Sequence, residues 1–318
     1  RPCSGPRAAM SRAEMMRRVR AYFAAAGVLE VDVPALSQYA VSDVHLESFA
    51  IQGSAVSRRP LYLHTSPEFC MKRLLAAGFP DIYAISRVFR DGESGRQHQP
   101  EFTMIEWYRL GMNLAEIIDD SLALIAAALG GMAPVRTPVV IDYADAMRET
   151  CDIDVNAADS TALAAAAGAD PALRSALGDA RDDWLDLLLA TRVVASFAPD
   201  RLTVLRHYPD SQAALARLCP DDARVADRFE VFLGPVELAN GYVELTDART
   251  QARRIERDNE IRERRGRRVR PVDQSLLGAL TEGLPQCAGV ALGFERLQMV
   301  HDRTDDIRDV ITFAFDDA

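Results

Sequence analysis

The sequence predicts an α+β fold, antiparallel strands flanked by helices, and three observations carry that reading. Ile82 to Arg90 and Glu101 to Leu110 both alternate apolar and polar residues, with a loop rich in Gly, Ser, Arg and Gln between them, the pattern of two strands joined by a long hairpin loop. FEVFLGPVELANGYVEL, from Phe229, returns to strand character around a tight connection at Leu233 and Gly234. Between and around these hairpins lie segments with helix starts and stops.

The first helix is expected at Ser11 to Ala26, with Ser11 and Glu14 as a capping box, Met15, Val19, Tyr22, Phe23 and Ala26 at helical spacing, and Gly27 as a left-handed cap. Leu29 to Leu36 reads as an edge strand, because Pro34 cannot donate to a ladder. Leu61 to Thr65 is a strand leading into a helix with Ser66 at the N-cap, Pro67 at the first position and Gly78 at the stop. Glu68 then falls in the first turn, complementing the helix dipole or facing a ligand. Leu114 to Leu129 is a helix closed by Gly130 and Gly131. From about Tyr143 to Ala226 the chain is Ala- and Asp-rich and helical by pattern, with Trp184, Leu185, Leu188 and Leu189 as its best periodic face. The whole chain, 1–318, is expected as a single domain carrying that stretch, about 143–226, as a helical insertion. Arg253 to Arg270 is densely basic, either solvated surface or a docking patch for an acidic macromolecule. GVALGFERLQM, from Gly289, reads as strand, glycine turn and helix start, with Arg296 in the first turn. IRDVITFAF reads as a terminal strand.

With 318 residues and 48% hydrophobic content, the chain can bury a substantial core. No apolar run is long enough for a membrane span and no segment reads as a signal peptide. Five scattered cysteines form neither a disulfide framework nor a zinc pattern, which points to a reducing cytoplasm. A net charge of −10 argues against bulk nucleic-acid binding. The basic residues are arginines apart from one, Lys72.

Period-two alternation puts Phe102, Met104, Glu106 and Tyr108 on one face of their strand. That face either meets water or forms the floor for a planar, anionic ligand, with Arg90 and His98 for phosphates and Phe102 for a ring. In the second hairpin, the expected turn sets Glu230 directly opposite Glu237. Facing carboxylates repel, so either a divalent cation of the magnesium type lies between them or the turn is shifted and both are solvated.

FRDGESGRQHQPEFTMIEWY, from Phe89, resembles motif 2 of the class II aminoacyl-tRNA synthetases in the lysine, asparagine and aspartate subgroup. The helix, strand and Pro34 near the N-terminus resemble motif 1, and GVALGFERLQM resembles motif 3. ELANGYVELTDAR resembles the lysine-subgroup signature. The resemblance covers essentially the whole chain. It implies a class II catalytic fold with a six- or seven-stranded antiparallel sheet, in a homodimer. It implies an ATP site in which Arg90 holds the α-phosphate and substrate carboxylate, His98 and Arg296 meet the γ-phosphate, Phe102 stacks on adenine, and Glu230 and Glu237 bind Mg2+. Here Gly92 replaces the usual acidic residue, with Glu93 one step later, Gln99 the usual Asn, and Glu295 the commoner Asp. It further implies Ser66 and Glu68 near the substrate amino group, Asn240 on its carboxylate, and Glu244 on a distal ammonium. With Glu106 and Tyr108 these make an acidic pocket suited to a diamino acid of lysine type.

Lysyl-tRNA synthetases carry an anticodon-binding barrel before motif 1. Here motif 1 starts almost at the N-terminus, so no anticodon-binding domain and no tRNA acceptor are expected. The chain resembles most the truncated paralogue family, the elongation factor P β-lysine ligases, which activate (R)-β-lysine and join it to a lysine side chain on elongation factor P. That family has an alanine at the middle glycine of motif 3, and this chain has Ala291. The expected enzyme is therefore an ATP-dependent, AMP-forming ligase of the cytoplasm acting on (R)-β-lysine or lysine. The alternatives are a free-standing amide-forming ligase of the asparagine synthetase type and a non-catalytic paralogue binding nucleotide or tRNA.

Overall fold

The computed structural model describes residues 2–134 and 136–318. The chain divides into two compact units, Arg1–Ala133 with Glu244–Ala318, and Pro134–Val243.

The first unit opens with α1 (Pro6–Ala25), which starts at Pro6 rather than Ser11. Proline at the first helical position and the good helix formers after it set the start. Ser11 therefore lies inside the helix, where its hydroxyl donates to Asp302 Oδ1 at 2.6 Å, so the expected Ser11–Glu14 capping box is not used. Gly27 does take the left-handed conformation, φ +69°. The Leu29–Leu36 run is broken by Pro34 into β1 (Leu29–Glu30) and β2 (Leu36–Ser37). β2 joins β3 (Ala50–Ile51) and β4 (Leu61–Leu63) in a small antiparallel sheet ordered β2-β4-β3. Next come α2 (Glu68–Ala76), β5 (Ile82–Phe89), β6 (Glu101–Leu110) and α3 (Leu114–Leu129). Asn113 and Glu116 cap α3 reciprocally.

The second unit begins with β7 (Val139–Asp142), followed by α4 (Tyr143–Cys151), α5 (Ser160–Ala166), α6 (Pro171–Leu177) and α7 (Arg181–Leu188). β8 (Leu202–Arg206) lies inside the stretch read as helical. Its LTVL core is short, yet every one of those four residues is buried. β9 (Arg228–Leu233) and β10 (Val236–Val243) complete the unit, with strands ordered β10-β9-β8-β7. Tyr143, Met147, Leu163, Trp184, Leu188 and Phe232 form its core.

The chain returns to the first unit through α8 (Ala248–Arg264), α9 (Gln274–Gly283), β11 (Cys287–Gly293) and α10 (Phe294–Asp302). Its larger set of strands is ordered β1-β5-β6-β11, with β5, β6 and β11 antiparallel. The pairs β1–β5 and β7–β8 are parallel, so the expectation that every strand pairs antiparallel is corrected. The α+β class stands. Helices cover both faces of β5 and β6. Phe23 of α1 stacks on Tyr83, ring centroids 4.1 Å apart, and lies 5.7 Å from Trp107. On the opposite face Met71 and Leu75 of α2 and Leu276 and Leu280 of α9 pack against Ile82, Ala84 and Tyr108. The face carrying Glu106 is thus closed over by helices, and its carboxylate is buried, not solvated.

Two further expectations are corrected. IRDVITFAF is not a strand: Ile307–Asp309 and Phe315–Asp317 are 3-10 turns. Ile307 and Val310, three apart, are buried together, which suits a 3-10 turn and not a period of two. The arginine run is not uniform surface either. Arg264, Arg265, Arg267 and Arg268 are exposed, but Arg262 and Arg270 are buried. No helix among the described residues is long and apolar enough to cross a membrane.

Candidate active site

Three groups of predicted residues are assembled by these elements, two in the first unit and one in the second. The first lies at the open end of the β5–β6 hairpin. Arg90 leaves β5 beside Phe102 at the start of β6, its guanidinium carbon 5.1 Å from the ring centroid. Glu93 Oε1 stands 3.5 Å from Arg90 Nη1. Gly92 at φ +83° lets the loop turn, and a bridge between Gly95 and His98 closes it. Arg90 Nε is buried without a hydrogen-bond partner among the described residues. An orphaned cationic donor is costly, so its position marks a place for an anionic acceptor. Arg296, from the first turn of α10, donates to His98 Nε2 at 2.6 Å. Guanidinium has no acceptor, so His98 accepts on Nε2 and carries its proton on Nδ1. Gln99 Oε1 accepts from the Phe315 backbone N–H at 2.9 Å and serves the C-terminal turn.

The second group is acidic and sits where α2, β6 and β11 converge. α2 starts one residue later than expected, with Pro67 and not Ser66 at the N-cap; Ser66 accepts from the Glu68 N–H at 3.0 Å and donates to Glu106 Oε2 at 2.7 Å. Tyr108 donates to the other oxygen of Glu106 at 2.7 Å. Lys72 Nζ bridges Glu68 Oε1 at 2.6 Å and Glu244 Oε2 at 2.5 Å. Glu244 is held by its backbone N–H to the Cys287 carbonyl, 2.9 Å. A Cβ on Gly289 would lie 2.5 Å from both Glu244 Oε1 and Tyr108 Cε1. That glycine therefore makes room for these two side chains. Ala291 pairs with Glu106 across the ladder, so its methyl faces the same side as the carboxylate. Burial pushes Glu106 up to about 8, with the charge of Glu68 adding to it. Burial likewise pushes Glu244 up to about 8, and Lys72 acts against that rise. Glu244 Oε1 is buried with no hydrogen-bond partner among the described residues.

The third group is on the β9–β10 hairpin of the second unit. Gly234 and Pro235 form the turn, with Leu233 opposite Val236, so Glu237 faces Phe232 and not Glu230. The register then shifts by one residue between Glu237 and Ala239 and sets Asn240 opposite Glu230. Had the ladder continued unbroken, Asn240 would point away. The bulge puts Glu230, Glu237 and Asn240 on one face. Sequence reading passed over Arg228 here. It donates to Glu230 Oε1 at 2.6 Å and lies over the Tyr208 ring at 4.4 Å. Burial raises the pKa of Glu230, Arg228 opposes this and Glu237 reinforces it. Two carboxylates and an amide oxygen are a hard-oxygen donor set and fit Mg2+ in kind.

Residues 6–317 match the family model of the tRNA synthetases class II (D, K and N). The chain belongs to that family. Among its curated class II relatives, a protein of Photorhabdus laumondii named elongation factor P--(R)-beta-lysine ligase is 41% identical over 309 residues, 96% of this chain and 94% of the relative. Proteins of the same name from Salmonella paratyphi B and Salmonella dublin are each 42% identical over 313 residues, 97% of this chain and 95% of theirs. Lys72, which lies between Glu68 and Glu244, is a residue that sequence reading named without giving it a role. Its signal was its rarity: it is the one lysine among 37 basic residues.

Proposed function

We propose that this class II protein activates (R)-β-lysine, or lysine, with ATP and transfers it to a lysine side chain of elongation factor P, in the cytoplasm and as a homodimer. The observation that carries the substrate class is the acidic cluster of buried Glu106 and Glu244 with half-buried Glu68, Glu244 Oε1 lacking a donor among the described residues. Such a cluster repels an acidic substrate and suits ammonium groups. The name and near-full-length identity of the relatives support the acceptor.

In the first step a substrate carboxylate oxygen attacks the α-phosphorus of ATP, and the bond to pyrophosphate breaks. Arg90, with its orphaned Nε, holds the two anions together, Phe102 stacks on the adenine, and Glu93 faces the nucleotide. Arg296 and His98 bind the γ-phosphate. Glu68 and Glu106 take the amino group near the carboxylate and Glu244 the distal ammonium, while Ser66 and Tyr108 hold Glu106 in place. Asn240 meets the substrate carboxylate. Glu230 and Glu237 would hold Mg2+, which neutralises phosphate charge when bound. In the second step the neutral amine of the acceptor lysine attacks the adenylate carbonyl and AMP leaves.

Pyrophosphate exchange with (R)-β-lysine, α-lysine and aspartate in parallel tests the first step. Exchange with the diamino acids and none with aspartate is expected; the reverse order rejects the reading. Addition of elongation factor P or tRNA then identifies the acceptor. Ala291→Gly removes the methyl beside Glu106 and is expected to shift kcat/KM toward α-lysine by about 1–3 kcal/mol. An unchanged ratio of the two substrates' kcat/KM would place discrimination elsewhere.

A further inference from the structure

The acidic cluster contains its own ammonium. Lys72 extends from the second turn of α2, is 2% exposed, and ends between Glu68 and Glu244. Burial opposes its charge, but Glu244 and Glu68 outweigh burial and raise its pKa, so it stays protonated. In a chain whose other basic residues are arginines, a lysine has been kept here. An ammonium is compact and can sit between two carboxylates, whereas a planar guanidinium needs a broader site.

Resting on the activity proposed above, we infer that Lys72 is a fixed counter-charge that offsets one of the three clustered carboxylates, buried Glu106 and Glu244 and half-buried Glu68, and leaves two for the substrate, so that a molecule with two ammonium groups completes the cluster. Lys72 touches no reacting atom; it is a positioning residue acting through Glu68 and Glu244. The other titratable groups around it are Glu106 and Tyr108 from β6, Cys287 from β11 and Asp81 before β5. Lys72 opposes the desolvation of Glu244 and of Glu106. Burial nonetheless raises both carboxyls, to about 8, so in the free protein they keep their protons beyond the ordinary carboxylate range. A diammonium substrate binds the ionised cluster, so its binding tightens as pH rises toward that value and levels off above it. Without Lys72 the carboxylates hold their protons to higher pH, and the substrate must displace them.

The test is Lys72→Met in pyrophosphate exchange with (R)-β-lysine across this pH range. KM at neutral pH is expected to rise about tenfold for each unit by which the carboxylate pKa climbs. The defect should shrink with rising pH, and kcat should be little changed. A packing role would give a defect that ignores pH. In Lys72→Ala, added ethylammonium should lower KM, and ethanol of similar size should not. An unchanged KM, a pH-independent increase, or equal rescue by ethanol overturns the inference while leaving the activity standing. If the unaltered protein exchanges with no diamino acid, the activity reading fails and the inference with it. Should the variants fail to fold, calorimetry of the unaltered protein in two buffers counts protons released on binding. About twice as many are expected for (R)-β-lysine as for 3-aminohexanoate, which lacks the distal amine. Equal counts overturn the inference.

Discussion

Arg262→Met is expected to lower the unfolding free energy by about 3–5 kcal/mol, because it removes a buried, fully engaged guanidinium and leaves the carbonyls it binds without that donor. Arg262 has no exposed surface. Its Nε donates to the Arg268 carbonyl at 2.8 Å, and Nη1 to those of Asp43 at 2.7 Å and Leu46 at 3.2 Å. Nη2 meets Glu47 Oε1 at 2.6 Å, and Arg270 grips the other oxygen of Glu47. One guanidinium thus ties the end of α8 to the 43–47 loop. Methionine fills much of the same space but leaves three carbonyls without the guanidinium donor and Glu47 with two of its three arginine partners. Arg264→Glu, on the exposed face of the same run, should stay within about 0.5 kcal/mol. Urea unfolding of both variants measures the difference. A loss below about 1 kcal/mol for Arg262→Met would show that the loop is held by other contacts.

The same arginine shows what a single sequence can and cannot reveal. Its run reads as charge, and charge at helical spacing predicts solvent. Nothing in the spacing distinguishes Arg262, which turns inward to close a loop over two hundred residues away in sequence. The β5–β6 hairpin was legible as two strands, and alternation fixed which residues share a face, but not the register, which the structure sets with Tyr108 opposite Ile82 and Glu106 opposite Ala84. The β9–β10 hairpin was legible as a hairpin but not in register. Gly234-Pro235 moved the turn by one residue, and the bulge then reversed the parity beyond it. A period-two argument cannot survive an inserted residue. The acidic residues were found as separate carboxylates at strand and helix positions. That Lys72 ends between two of them depends on α2 packing against the sheet, a tertiary fact without local signal. β8 was missed for a related reason, since a short run with three apolar residues, Leu202, Val204 and Leu205, within an Ala-rich stretch fits a helix as well as a strand.

Glu237→Gln is expected to reduce pyrophosphate exchange by about a thousandfold, the several kcal/mol that a bound metal contributes to charge stabilisation. It should also raise the Mg2+ concentration needed for half-maximal rate. Glutamine preserves size and hydrogen bonding while removing the charge that attracts a divalent cation. Glu230→Gln should impair exchange similarly, but the two variants should differ in stability. Buried Glu230 shares its carboxylate with half-buried Arg228 at 2.6 Å, so the amide weakens a charged hydrogen bond in a largely desolvated position. A cost of about 1–3 kcal/mol follows for Glu230→Gln. Glu237 is more open and opposes Phe232 on the ladder, so its substitution should leave the denaturation midpoint nearly unchanged. Exchange assays over a Mg2+ series, beside urea melts of both variants, separate the two effects. Full exchange by Glu237→Gln with an unaltered Mg2+ requirement would remove Glu237 from the metal site. Equal stability losses in both variants would show that Arg228 does not depend on the Glu230 charge.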